Sequence, residues 1–196
     1  VSKTGSIKEK LDGMKSLSPS AINRYIKCPL MFFYQYVASI KEPDCEDDVV
    51  DNRMFGNIFH KSAQLIYDEI MSHNNGRIEK ASIQKYLNTK GLLESIVDRA
   101  FNEELFKVKN SMRSPYYNGL HLINSKVLIE YLRQLLHSDQ RTAPFEMLAL
   151  EDAVYTQIAF ETEDNNVRKI RIGGIIDRLD RVTDARTGVS TIRVVD

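Results

Sequence analysis

Apolar residues recur along this chain with two different periods, and the period changes near Pro144. Before that point the spacing is helical. In "SLSPSAINRYIKCPL", Ser18 suits an N-cap and Pro19 the first helical position, where its missing N–H costs nothing. Ile22, Tyr25 and Ile26 then fall at i, i+3 and i+4 and predict one apolar face. Pro29 interrupts, and "LMFFYQYV" predicts a second, buried segment. A helix is predicted from about Asn52 to Met71, with Phe59, Ala63, Ile66 and Ile70 spaced for burial. Further helical patterns cover about 81–108, weakened at Gly91, and about 121–138, where Leu128, Leu132 and Leu135 share a face. Between these two, "NSMRSPYYNG" is a loop by its Pro, Gly and Asn content.

After Pro144 the pattern alternates. "FEMLALEDAVYTQIAFE" reads as one long or two short strands and "EDNN" as a turn. "VRKIRIGGIIDRLDRV" is a strand with a Gly-Gly flaw, "TDARTG" a turn and "VSTIRVVD" a last strand. Helices first and strands afterwards predict an α+β fold, with N-terminal helices packed on an antiparallel β-meander. Residues 1–16 are polar, Lys-rich and aperiodic and read as a flexible lead-in. Residues 17–196 read as a single domain, with a helical part at 17–140 and a sheet part at 145–196.

Composition changes this picture little. With 196 residues, 42% hydrophobic and 28% charged, the chain has the balance of an ordinary globular domain. A formal net charge of zero means that no global basic field advertises a nucleic-acid partner. Locally the balance differs: between Arg168 and Val195 seven basic residues face three acidic ones, Asp177, Asp180 and Asp184. If Asp177 were neutralised by a cation, this sheet would suit phosphate oxygens. The acidic run Glu42, Asp44, Glu46, Asp47, Asp48 and Asp51 reads as a solvated loop. Cys28 and Cys45 lie in no metal-like spacing, so a reducing compartment is expected, with no disulfide framework. No apolar stretch approaches the span of a membrane helix, since residues such as Gln35 break each run. A cytoplasmic protein is therefore expected. The start at Val1, without a methionine, adds an expectation of trimming at that end.

Candidate chemistry centres on two aspartates and a histidine. By alternation, Asp177 shares a strand face with Ile175 and Leu179, and Asp196 with Ile192 and Val194. Both are thus expected on apolar, core-directed faces, where an ionised carboxylate needs a partner. A shared divalent cation would supply one, and so would separate arginines such as Arg171, Arg178 or Arg193; spacing alone leaves both open. His60 lies one step off the Phe59 stripe, with Gly56 one helical turn before it and open space above the imidazole. It could face a metal or a phosphate, or simply be hydrogen-bonded to a backbone group. His73, His121 and His137 have no comparable setting.

Taken together, these residues resemble the RecB/AddB-type branch of the PD-(D/E)XK nuclease superfamily. "LSPSAINRYIKCPLMFFYQYV" is similar to its entry helix, "FGNIFH" to its G-x-x-x-H helix, and "GGIIDRLDRV" and "IRVVD" to its G-x-x-D-R and V-V-D-Y-K-T-G strands. The resemblance implies a partial restriction-endonuclease-like core and a nuclease hydrolysing DNA phosphodiesters with Mg²⁺ or Mn²⁺. His60, Asp177 and Asp196 would be its metal ligands and catalytic residues. It also implies a helicase domain or subunit as partner, in double-strand-break repair or recombination.

The family pattern continues beyond Asp196 to a lysine that orients the attacking water, and the sequence ends before that position. Lys27 and Lys61 lie on predicted helices and Lys169 before the Gly-Gly flaw, so none is expected to replace it. The expectation is therefore a truncated, inactive fragment of an active parent. Some relatives hold a 4Fe–4S cluster through one upstream cysteine and three beyond the last strand. Cys28 matches the first, and a cluster, needing four thiolates, would require three more from the parent. The rival reading is a nuclease-derived module that has lost catalysis and only binds DNA or scaffolds a partner. An iron oxygenase is disfavoured, because its facial triad needs two histidines.

Overall fold

The computed structural model describes residues 5–40, 50–108, 115–161 and 165–195. The chain opens with α1 (Gly5–Asp12), β1 (Ser16–Leu17), α2 (Pro19–Lys27) and α3 (Pro29–Phe32), which runs into a π-helical turn at Phe33–Val37. The start of α2 follows the expected chemistry: the Ser18 hydroxyl accepts the Ala21 N–H at 3.1 Å, and Pro19 occupies the first turn. α4 (Asn52–Asn74) is capped by Asp51, whose carboxylate accepts the Met54 N–H at 2.6 Å. It ends on Asn75 in the left-handed conformation, leading to β2 (Arg77–Ile78). The predicted 81–108 helix is two helices, α5 (Lys80–Asn88) and α6 (Leu92–Glu104). Gly91, at φ +80°, separates them with a backbone that other residues rarely adopt. α7 (Gly119–Thr142), β3 (Phe145–Glu161), β4 (Val167–Thr183) and β5 (Ser190–Val195) complete the order.

The expected α+β class holds. Among the described residues, five strands form one mixed sheet in the order β1-β4-β3-β2, with β5 also on β4. β5 pairs antiparallel with β4, Asp180 opposite Arg193, and β2 pairs antiparallel with the start of β3. The short β1, which the alternation did not announce, runs parallel to β4 through Ser16 and Arg171.

The described residues fall into two compact units. One comprises residues up to 40 with 152–176, the other 50–151 with 177–195. In the first, Ala21, Phe32 and Val37 are buried, and Ile7 and Leu11 of α1 pack against them. The polar run before residue 16 therefore holds a helix whose two apolar residues, four apart, share a face. The face expected to be buried on α2 is not: Tyr25 and Ile26 are 55% and 74% exposed, and the small Ala21 meets the core instead. The Gly-Gly flaw is also explained here. A Cβ on Gly173 would fall 1.9 Å from the Val154 carbonyl oxygen, so only glycine lets β3 and β4 approach at that point.

The larger unit contains the main core. Ile58, Ile66 and Ile70 of α4 pack with Val97 and Phe101 of α6, Leu128 and Leu132 of α7, and Phe145 of β3. Leu136 rather than Leu135 completes the fully buried stripe of α7. Among the described residues, no helix is long and apolar enough to cross a membrane.

Candidate metal centre

Three acidic or imidazole side chains of the larger unit converge from three elements. α4 presents a polar stripe, Asn57, His60, Lys61 and Gln64, at the three- and four-residue spacing of one helical face. β4 brings Asp177 and β3 brings Glu151. The His60 Nδ1 lies 3.1 Å from Glu151 Oε1 and 3.6 Å from Asp177 Oδ2. One ligand atom from each of the three lies within 4.8 Å of the others, and all three residues are half-buried. A Cβ at Gly56 would meet open space, in keeping with a clear approach to this side of the helix.

Glu151 was not singled out by the sequence, where it is one acidic residue in a long strand. Its backbone is distinctive: φ is +47°, in the left-handed region. For a residue with a Cβ that conformation costs about 1–2 kcal/mol. Such local irregularities in strands re-aim side chains and cluster at functional sites. The only hint in the sequence is the adjacent pair Glu151–Asp152, two charges in a run that is otherwise mostly apolar.

The face assignment of β4 and β5 needs correction. Ile175, Ile192 and Val194, expected to face the core, are 70%, 59% and 68% exposed. Burial goes instead to Arg178 and Asp180, at 5% and 0% exposed. The inward face is filled by a charge network rather than by aliphatic side chains. Arg178 donates to Asp139 Oδ1 at 2.9 Å and to Asp180 Oδ2 at 2.8 Å, and Arg193 donates to both Asp180 oxygens at 2.7 and 2.8 Å. The Arg178 guanidinium also stacks 4.7 Å from the Phe145 ring centre and 5.3 Å from that of Tyr67. Burial works against its charge, but the hydrogen bonds to Asp139 and the surrounding anionic groups raise its pKa further. Tyr67 donates to Asp139, and burial, then that carboxylate, pushes its hydroxyl well up. Two arginines, Arg178 and Arg193, thus balance two aspartates, Asp139 and Asp180, and Arg178 is the immediate neighbour of Asp177 in sequence. Arg178 and Arg193, named from the sequence as alternative partners for the candidate ligands, hold Asp139 and Asp180.

An open recess of about 360 Å³ lies over the three converging groups, lined also by Asn57, Lys61, Gln64 and Glu104. Lys61, set aside from the sequence because it sits on a helix, is therefore part of the same site. Its ammonium is 3.2 Å from Glu103 Oε2 and 3.3 Å from Gln64 Oε1. Glu103 also accepts from Arg99 at 3.1 Å. Burial raises the Glu103 pKa, but the hydrogen bonds from Arg99 and Lys61 outweigh it and hold this carboxyl below its usual range.

The donor set fits a small divalent cation. Two carboxylates offer hard oxygen ligands, and one imidazole adds a nitrogen. Bonds of about 2.0–2.1 Å put the ligand atoms of such an ion roughly 3–4 Å apart, the range of the two distances to His60. Asp196, the remaining ligand expected from the sequence, lies outside the described residues, as do Cys45 and the acidic residues from Glu42 to Asp48. Cys28 belongs to the other unit, a free thiol at the junction of α2 and α3.

A comparison with curated proteins finds no match. The sequence profile of the PD-(D/E)XK nuclease superfamily matches residues 16–196. That span takes in every element carrying the metal-type cluster, and the chain accordingly belongs to the PD-(D/E)XK nuclease superfamily, whose members are hydrolytic, divalent-metal-using nucleases.

Proposed function

We propose that this chain is the nuclease domain of a protein that cleaves DNA phosphodiesters with Mg²⁺ or Mn²⁺, held by His60, Glu151 and Asp177 and joined by Asp196. The observation that carries the reading is the convergence of His60, Glu151 and Asp177 in a chain of this superfamily. The cation would polarise the scissile phosphate and lower the pKa of a water bound to it. Glu151 and Asp177 would supply the anionic oxygens that offset its charge, and His60 would supply a ring nitrogen. The half-buried setting keeps these side chains oriented, while the open recess admits a backbone phosphate. One water is consumed per cut: its oxygen joins phosphorus, the P–O ester bond breaks, and the departing oxygen takes up a proton.

The finer reading is a RecB/AddB-type exonuclease acting with a helicase in cytoplasmic double-strand-break processing. It is supported by the order of the entry helix, "FGNIFH", "GGIIDRLDRV" and "IRVVD" along the chain. Cys28 would join an iron–sulfur cluster only alongside three further thiolates. The test is release of label from end-labelled linear and closed circular DNA with Mg²⁺ or Mn²⁺. In a chain carried on through the lysine that the family pattern places after Asp196, cleavage of linear DNA alone that is abolished by EDTA and by Asp177→Asn is expected. Digestion that persists in EDTA or in Asp177→Asn would overturn the reading, and metal-dependent DNA binding without cleavage would favour a module that has lost catalysis.

A further inference from the structure

We infer that Lys61 is a positioning residue of this site, holding a non-bridging oxygen of the bound DNA phosphate from the α4 side of the recess. The inference rests on the nuclease reading and adds to it a group outside the metal ligands. Three observations carry it. First, Lys61 lines the same recess as His60, Glu151 and Asp177, on the α4 face that also presents Asn57 and Gln64. It is the only cationic side chain among the residues described as lining that recess.

Second, its present partner does not depend on it alone. The Glu103 carboxylate, 13% exposed, is shared between Lys61 at 3.2 Å and Arg99 at 3.1 Å. This trio carries one net positive charge. If the ammonium moves toward a phosphate, Arg99 still pairs with Glu103, so no buried carboxylate is left uncompensated. Third, the side chain suits the task. A lysine is a compact charge with three donors on a flexible stem, able to keep one hydrogen bond to Gln64 while directing another at an anion. A cation here also offsets Glu104, a carboxylate on the recess wall that would otherwise repel a phosphate.

The experiment uses the 196-residue chain, a fluorescein-labelled oligodeoxynucleotide in Ca²⁺, and a salt titration; Mn²⁺ affinity is measured separately by calorimetry. Each backbone phosphate neutralised by a lysine contributes about 0.7–0.9 to the slope of log affinity against log salt. Lys61→Gln keeps the stem and a hydrogen bond but removes the charge. It is expected to leave Mn²⁺ affinity within about twofold, weaken oligonucleotide binding several-fold, and lower the salt slope by about 0.7–0.9. Lys61→Arg should restore the slope. Glu103→Gln breaks the same ion pair but keeps the cation, so it should retain the wild-type slope; this comparison removes any contribution from folding. An unchanged slope in Lys61→Gln, or an equal fall in both variants, overturns the inference while leaving the metal centre intact. Wild-type protein that binds no Mn²⁺ through Asp177 sinks the nuclease reading itself, and this inference with it.

Discussion

At Glu151 a left-handed backbone sets the aim of a carboxylate in the middle of β3. A mid-strand glutamate is unremarkable in sequence, and its left-handed φ of +47° has no signature in hydrophobic spacing. Only folding turns its carboxylate to within 3.1 Å of the His60 ring. The left-handed backbone of Glu151 has a measurable consequence. Glu151→Ala keeps the left-handed cost and Glu151→Gly removes it, so the glycine variant should be more stable than the alanine variant by about 1 kcal/mol in urea unfolding. Equal stabilities would show that this backbone is not under strain. Gly56 makes the complementary case. It sits within α4 with nothing near its absent Cβ. Gly56→Ala should therefore stabilise the metal-free protein by about 1 kcal/mol. If the open space serves the site, the same substitution should weaken oligonucleotide binding; gain of stability with unchanged binding would make the space incidental. His60 and Asp177, by contrast, could be singled out from sequence because short motifs surround each, and the fold does bring them together.

Among the elements, helices and strands were legible where period and punctuation agreed, as where Ser18 and Pro19 start α2; at Gly91 the sequence showed only a weakening where the chain breaks into α5 and α6. What alternation could not supply was the direction of a face. β4 reads as "IIDRLD", and the apolar positions were the natural candidates for burial. The strand instead turns Arg178 and Asp180 inward, because paired and hydrogen-bonded charges can occupy a core that isolated charges cannot. The Gly-Gly pair in β4 was visible as an irregularity, but its cause is the β3 backbone opposite. Gly173→Ala would force the Val154 carbonyl aside and should destabilise the protein by about 1–3 kcal/mol. A loss within 0.5 kcal/mol, roughly that of an inconsequential surface change, would mean that the strands yield there.

For the molecule as a whole, the α+β order of long helices followed by the long strands β3 to β5 could be read directly, while the two-residue strands β1 and β2 set among the helices could not. The division into two cores could not, because β3 and β4 each contribute residues to both compact units. The buried network in the larger unit carries a stability claim that reaches beyond any one strand. Arg178 links α7 through Asp139 and β5 through the Asp180 that Arg193 also holds. Arg178→Met would leave the buried Asp139 carboxylate without the cation that holds it, while Asp180 keeps Arg193, and should cost about 3–5 kcal/mol. Thermal and urea unfolding would read this, and a loss under about 1 kcal/mol would show that the network contributes little.

The central claim is that His60, Glu151 and Asp177 act as one cation site, and a Mn²⁺ titration followed by electron paramagnetic resonance addresses it without requiring turnover. The account predicts a saturable Mn²⁺ signal in the wild-type protein. It also predicts at least about tenfold weaker binding in each of His60→Ala, Glu151→Gln and Asp177→Asn, with folding retained by circular dichroism. Mn²⁺ affinity that is the same in all three variants as in the wild type would contradict it.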